Sequence, residues 1–138
     1  IGRLFPSLMT AANLDLTEKF SQHSLAEIIT PEILRSFLTI EARGEHNFVA
    51  EIFQIFCENA KKQLTELRSE IETRDAASVR RRAHSLKGSS ANVGLVKLTA
   101  LLEEMQKSAS SDNWIETDLI FASVGEEFEL VKRKIQEG

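Results

Sequence analysis

A histidine at position 84 has the residue type and the neighbours that nucleophilic chemistry requires. Projected at 3.6 residues per turn, His84 lies roughly 140° from the centre of the apolar stripe on its own helix. That stripe consists of Val79, Ala83, Leu86, Ser90 and Val93. Because the imidazole points away from the stripe, it is open to solvent, where a ring nitrogen can act as a nucleophile.

Cations and small residues share the face of His84. Within about 60° of it lie Ala77, Arg80, Arg81, Lys87, Gly88 and Ala91. Lys87 can place an ammonium beside a phosphoryl group on the ring, although a lysine on a solvated face also serves solubility alone. Gly88 costs roughly 1 kcal/mol of helix stability relative to alanine. Its presence would be explained either by clearance for the imidazole and a partner or by close helix packing. This pattern is typical of an accessible nucleophile that tolerates phosphate.

Gln106 is a candidate for holding the imidazole. If two helices turn near Gly94, His84 lies ten residues before the turn and Gln106 twelve after it. At ~1.5 Å per residue, the two lie within about one turn of the same height. The amide of Gln106 can donate to or accept from a ring nitrogen, and the alternative is an exposed glutamine that contacts only water.

A rim of residues around His84 is a candidate docking surface for a partner. It comprises Arg80, Arg81, Ser85, Gly88, Ser89 and Ala91. The basic run Arg80–Arg82 can meet an acidic protein surface or a phosphate, and a solvated helix face is an equal interpretation. Ser90 projects inward, whereas Ser89 can join the rim.

Metal and ATP chemistry are not indicated by the other residues. His23 and His46 lie in or near predicted helix ends, with no cysteine or carboxylate at ligand spacing. No Glu-x-x-His pair indicates a metal site in a helical bundle, and no glycine-rich phosphate loop precedes a helix. We therefore expect no cofactor in this chain and no self-phosphorylation from ATP.

Length and composition favour a single soluble domain. The 138 residues, 42% of them hydrophobic, suffice for one core, and the net charge of -4 argues against nucleic-acid binding. Cys57 has no internal disulfide partner and reads as a buried small hydrophobe rather than a reactive thiol, which fits a reducing cytosol. No stretch approaches the ~18 apolar residues of a membrane span, and no charged leader is evident. Starting at Ile1, the chain is expected to be a piece of a longer protein or one whose native start is Met9.

The periodicity predicts an all-α protein. The predicted elements are a tail over 1–12, a short helix from Asp15 to about Ile29, and helices from Pro31 to about Ile40, His46 to about Thr73, Asp75 to about Val93, Leu95 to about Ser108 and Trp114 towards the C-terminus. Thr30 and Asp75 are expected to cap the helices that follow them, and Gly94 to end one. Residues 108–113 are expected to form a loop.

Four of these helices carry long apolar stripes. The stripe after His46 contains Phe48, Ile52, Ile55, Phe56, Ala60, Leu64, Leu67 and Ile71. The stripe of the last helix contains Trp114, Ile115, Leu119, Ile120, Val124, Phe128, Val131 and Ile135. Such helices bury their stripes only against one another, which predicts an antiparallel four-helix bundle over 30–138, with 1–29 as a tail and short helix that caps it.

The segment His84-Ser-Leu-Lys-Gly-Ser-Ser-Ala-Asn-Val-Gly94 resembles the signature of histidine-containing phosphotransfer (HPt) domains of two-component phosphorelays. The resemblance extends from about Pro31 to the C-terminus, and residues 1–29 lie outside it. It implies a four-helix bundle whose His84 takes a phosphoryl group from an aspartate of one receiver domain and passes it to another. By the same resemblance, Lys87 steadies the phosphate, Gly88 gives clearance and Gln106 holds the imidazole.

The resemblance also implies the partners. They are response-regulator receiver domains, which bring the Mg²⁺, and a hybrid sensor histidine kinase, with no nucleic acid and no membrane. The chain is then a cytoplasmic phosphocarrier rather than an enzyme, and a monomer is expected. Two alternatives stay open: a helical adaptor that docks partners without phosphotransfer, and the histidine domain of a chemotaxis-type kinase, fed by an ATP-binding domain.

Overall fold

The computed structural model describes residues 23–44 and 47–137, and these residues form an all-α bundle as predicted. A single 3-10 turn at Ser24–Glu27 precedes five α-helices. The helices are α1 (Pro31–Ala42), α2 (Phe48–Glu72), α3 (Ala76–Asn92), α4 (Val96–Ser110) and α5 (Trp114–Glu137). None of these described helices combines the length and apolarity needed to cross a membrane.

Helices α2 to α5 make up the bundle. Short connections join them, so consecutive helices run antiparallel, and α3 packs on α2 and α4 while α5 packs on α4 and α2. Their fully buried side chains form one core, which includes Phe53, Leu67, Val79, Leu86, Leu102, Met105, Val124 and Val131. Helix α1 adds Leu34 and Leu38 to this core.

Three predicted stripe residues are exposed, so this part of the prediction is wrong. Ile55, Ile115 and Leu119 are 67%, 79% and 66% exposed. Each helix carries more apolar residues than one face can hold, and the buried face of α2 instead passes through Phe53, which is fully buried. In α5 the buried face includes Thr117, because its hydroxyl pairs with that of Ser108 at 2.6 Å.

Local chemistry determines two of the helix ends. The Asp75 carboxylate accepts the backbone N–H of Ser78 at 3.2 Å, which confirms it as the N-cap of α3. Gly94 ends the helix with φ +77°, a conformation that favours glycine. A Cβ on Gly94 would lie 3.1 Å from Thr30 Oγ1 and 3.2 Å from Ile33 Cδ1, so the turn also requires a residue without a side chain.

Thr30 does not cap α1 as predicted. Its backbone is extended, as expected before Pro31, but its side chain makes no capping hydrogen bond. The hydroxyl lies against the turn at Gly94 instead, and the Thr30 N–H donates to the Gly94 carbonyl at 3.1 Å. A tertiary contact has therefore replaced the local one.

The predicted helix from Asp15 to Ile29 is wrong in its described part. Residues 15–22 lie outside the described residues, and beyond them only the 3-10 turn forms, with His23 Nδ1 accepting the Leu25 N–H at 3.1 Å. The backbone then extends so that Ile29 pairs with Leu95. Leu25 and Ile29 are buried in the bundle core. His46, which starts a predicted helix, also lies outside the described residues.

The loop before α5 is shorter than the predicted 108–113. Helix α4 continues to Ser110, and residues 111–113 make the turn. Ser108 is buried within α4, where its hydroxyl donates to the Met105 carbonyl at 3.1 Å. Internal hydrogen bonding thus allows a serine to lie inside a helix in the core.

Candidate functional site

His84 lies in the middle of α3 with its side chain exposed. The five residues of the predicted stripe on the same helix are all buried. Helix α3 therefore presents the imidazole to solvent because its opposite face packs in the bundle.

Lys87, one turn after His84, forms an ion pair across to α4. Its Nζ lies 2.5 Å from Glu103 Oε2, and the two side chains are 25% and 44% exposed. Lys87 holds the pKa of the Glu103 carboxyl below its usual value, with smaller contributions from Lys107 and His84. The Glu103 carboxylate therefore interacts mainly with Lys87.

This ion pair shows how α3 and α4 are aligned in their hairpin. Because α3 and α4 are antiparallel, three residues before Lys87 lie at the height of three residues after Glu103. Those positions are His84 and Gln106, so the two lie at the same height, as the sequence predicts. Among the described residues Gln106 makes no hydrogen bond to His84, and its Oε1 is buried without a hydrogen-bond partner. Because this oxygen is shielded from solvent, the alternative of an exposed Gln106 that contacts only water does not fit the structure.

The three arginines before His84 have different surroundings. Arg82 binds Glu70 on α2 through Nε at 3.1 Å and Nη2 at 2.8 Å, and its Nη2 also lies 2.6 Å from Glu66. It therefore joins α2 to α3. Arg81 is exposed and donates to Ser78 Oγ at 3.0 Å, and Arg80 is half-buried. Of these three arginines, only Arg80 and Arg81 are available to contact a partner on the His84 face.

The rest of the predicted rim surrounds the histidine with little steric bulk. Ser85, Gly88 and Ala91 are exposed, and Ser89 Oγ donates to the Ser85 carbonyl at 3.3 Å. A Cβ built on Gly88 would meet no atom within 4 Å. Close helix packing, one of the two explanations for this glycine, is therefore wrong. The other explanation, clearance for the imidazole and a partner, stays a prediction.

A pocket of about 410 Å³ opens one turn beyond the histidine. Its lining residues include Lys87, Glu103, Ala91, Val96 and Thr99. Val96 is 57% exposed. The pocket continues the His84 face towards the turn at Gly94 as a mainly apolar surface.

In the part of the chain that the structure describes, no further cluster of reactive groups adjoins the site. Within residues 23–44 and 47–137, no group of three or more His, Cys, Asp or Glu side chains could hold a metal ion. Cys57 on α2 is half-buried, and burial raises the pKa of its thiol against a smaller opposing effect of Lys132. Burial thus lowers the thiolate fraction of this cysteine.

Glu103 is the site residue that the sequence analysis missed. Its charge alone does not distinguish it from neighbouring Glu104. The alignment of the two helices could have identified it. An alignment that places His84 opposite Gln106 also places Lys87, three residues later, opposite Glu103, three residues earlier.

Comparison with known proteins agrees with this architecture. The model of the Hpt domain family matches residues 51–133. Multistep phosphorelay regulator 1 of Schizosaccharomyces pombe is 29% identical over 84 residues, which cover 61% of this chain and 28% of that protein. The chain therefore spans only 28% of the length of this curated relative.

Solved structures share the fold. A histidine-containing phosphotransfer protein from maize superposes with a TM-score of 0.76 at 25% identity, covering 92% of this chain and 94% of that one. Histidine-containing phosphotransfer protein B of Pseudomonas aeruginosa PAO1 superposes with a TM-score of 0.70 at 21% identity, covering 81% and 94%. Since the family match spans most of the bundle and includes His84, Lys87 and Gln106, the chain belongs to the Hpt domain family.

Proposed function

We propose that this protein is a phosphorelay carrier in which His84 accepts a phosphoryl group from a receiver-domain aspartate and passes it to another receiver. The observation that carries the proposal is the exposed imidazole at the centre of α3, with an ammonium one turn away and open space at Gly88. The names of the S. pombe, maize and Pseudomonas relatives support the same function.

The transfer step needs only one nucleophilic atom from this chain. The lone pair of the unprotonated ring nitrogen forms the N–P bond while the P–O bond of the acyl phosphate breaks. The electron pair of that P–O bond leaves with the aspartate carboxylate. The proton on the second ring nitrogen stays in place, and the reverse step transfers the phosphoryl group to the next aspartate.

Two side chains assist the imidazole in this proposal. The second ring nitrogen would donate its proton to Gln106 Oε1, which is otherwise buried without a partner. That hydrogen bond would fix which nitrogen attacks. Lys87 would place its ammonium beside the transferred group, where a charge-assisted hydrogen bond stabilises phosphoryl oxygens.

The partner supplies the remaining electrostatic stabilisation. We propose that the receiver domain brings Mg²⁺ and its own acidic pocket, so that this chain acts as a carrier rather than an enzyme. Arg80 and Arg81, with Ser85, Gly88, Ser89 and Ala91, form the docking rim. The donor receiver belongs to a hybrid sensor histidine kinase or a separate response regulator, and the chain acts in the cytoplasm as a monomer.

The test compares wild type with His84→Gln after mixing each with a phosphorylated receiver and Mg²⁺. Wild type should gain phosphate that is labile in acid and stable in alkali, and His84→Gln should gain none. His23→Gln is the matched control, because it removes another histidine, the one that caps the 3-10 turn, and it should label like wild type.

Thermal unfolding completes the test. Because the His84 side chain is exposed, His84→Gln should unfold within about 0.5 kcal/mol of wild type. Label on His84→Gln, or no label on wild type with any of several receivers, would contradict the proposal. Labelling only by a kinase and ATP would favour the kinase-fed alternative, and binding without label would favour the adaptor.

A further inference from the structure

Lys87, the cation one turn after His84 on its helix face, already has an anionic partner. Lys87 Nζ contacts the Glu103 carboxylate at 2.5 Å, and the Lys87 side chain is only 25% exposed. Partial burial strengthens such a pair relative to a fully solvated one. In the unphosphorylated protein, therefore, the ammonium is bound rather than free.

Phosphorylation of His84 would bring a second anion to the same ammonium. A phosphoryl group carries close to two negative charges at neutral pH. The charged groups of the site are Arg80, Arg81 and Lys87 on α3, with Glu103 and Lys107 on α4. Glu103 is the anion among them that contacts Lys87, so the carboxylate and the phosphoryl group compete for one ammonium.

We propose that Glu103 is a positioning residue that holds Lys87 when His84 is unphosphorylated and weakens the grip of Lys87 on the phosphoryl group. The proposal rests on the carrier function proposed above. A carrier has to accept a phosphoryl group and also release it. If Lys87 were unopposed, the phosphorylated state would be more stable and onward transfer slower.

The direct test measures the equilibrium between one receiver and the carrier. Glu103→Gln removes the competing charge and keeps the side-chain shape. It should raise the ratio of phosphorylated to unphosphorylated carrier by roughly threefold, the scale of a partly exposed ion pair, and slow onward transfer by a similar factor. Glu104→Gln is the matched control, since Glu104 is the exposed next residue and its loss changes the net charge equally. It should behave like wild type.

A second pair of variants tests whether Glu103 acts through Lys87. In a Lys87→Ala background, the added Glu103→Gln change should have a clearly smaller effect on the ratio, because no ammonium is left to compete for and only the weaker direct repulsion between Glu103 and the phosphoryl group remains. An equal effect with and without Lys87 would overturn the positioning role. A ratio for Glu103→Gln equal to or below that of wild type would also overturn it.

A measurement on the wild-type protein avoids any dependence on variant folding. The side-chain NMR signals of the Glu103 carboxyl carbon and the Lys87 amino nitrogen should both shift at neutral pH when His84 is phosphorylated. Unchanged signals would overturn the inference alone, with the carrier function intact. Absence of label on wild type with every receiver would overturn both.

Discussion

At the scale of the residue, the site consists of three side-chain arrangements with different hydrogen-bonding states. His84 has an exposed ring, Gln106 has a buried oxygen without a hydrogen bond, and Lys87 has Glu103. The buried Gln106 oxygen is costly without a partner, and a hydrogen bond donated by the imidazole would satisfy it. The chemistry of His84 was predictable from its helix projection, whereas the role of Glu103 required a contact between two helices.

The Lys87–Glu103 pair predicts a pH effect. Replacing Lys87 with alanine should move the Glu103 pKa up towards its usual value of 4.5, because Lys87 is the largest cause of its decrease. A carboxyl with a lowered folded pKa adds stability above its unfolded pKa, and this is lost as the pH falls through the folded value. The stability gap between wild type and Lys87→Ala should therefore close below pH 4.5.

Two measurements check this effect. The Glu103 carboxyl carbon can be titrated by NMR in both proteins, and urea unfolding can be followed from neutral to acid pH. An unchanged Glu103 titration in Lys87→Ala would show that the ion pair does not form in solution.

At the scale of the element, α3 and its turn combine two glycines with opposite demands. Gly94 has φ +77° and crowded surroundings, whereas Gly88 lies in a regular helix with open space around it. The Asp75 cap and the Gly94 turn were predictable because both depend on local backbone chemistry. The Thr30 cap was not, because its hydroxyl contacts a turn that is distant in the sequence.

Alanine at each glycine should separate these demands. Gly88→Ala should stabilise the protein by roughly 0.5–1 kcal/mol, because alanine favours helix, yet slow phosphotransfer by filling the docking face. Gly94→Ala should destabilise it by roughly 1–2 kcal/mol, because a left-handed conformation and close contacts both oppose a Cβ. Urea unfolding and the transfer rate measure these effects. Unimpaired transfer by Gly88→Ala would contradict the clearance role.

At the scale of the whole molecule, the bundle buries one face per helix and leaves surplus apolar residues outside. The all-α class and the four helices of the bundle followed from periodicity. The choice between Phe53 and Ile55 did not, because the direction of α2 depends on the helices packed around it. Phe53 contacts Phe37 and Phe56 edge to face, with ring centroids 6.4 and 6.5 Å apart, so aromatic packing orients this face of α2 inward.

Truncation of these two residues tests the assignment of the core. Phe53→Ala should cost roughly 3–5 kcal/mol of unfolding free energy, because it leaves a cavity among buried side chains. Ile55→Ala should stay within about 0.5 kcal/mol of wild type, because that side chain is largely in solvent. Chemical denaturation of both variants is the measurement. Equal costs would contradict the burial of α2.

The relay itself is tested most directly by onward transfer. Wild-type protein is labelled through one phosphorylated receiver, separated from it, and mixed with a second, unphosphorylated receiver and Mg²⁺. We expect the label to leave His84 and to appear in equal amount on the aspartate of the second receiver. Label that stays on the carrier, or is released as inorganic phosphate without reaching the receiver, would contradict the relay.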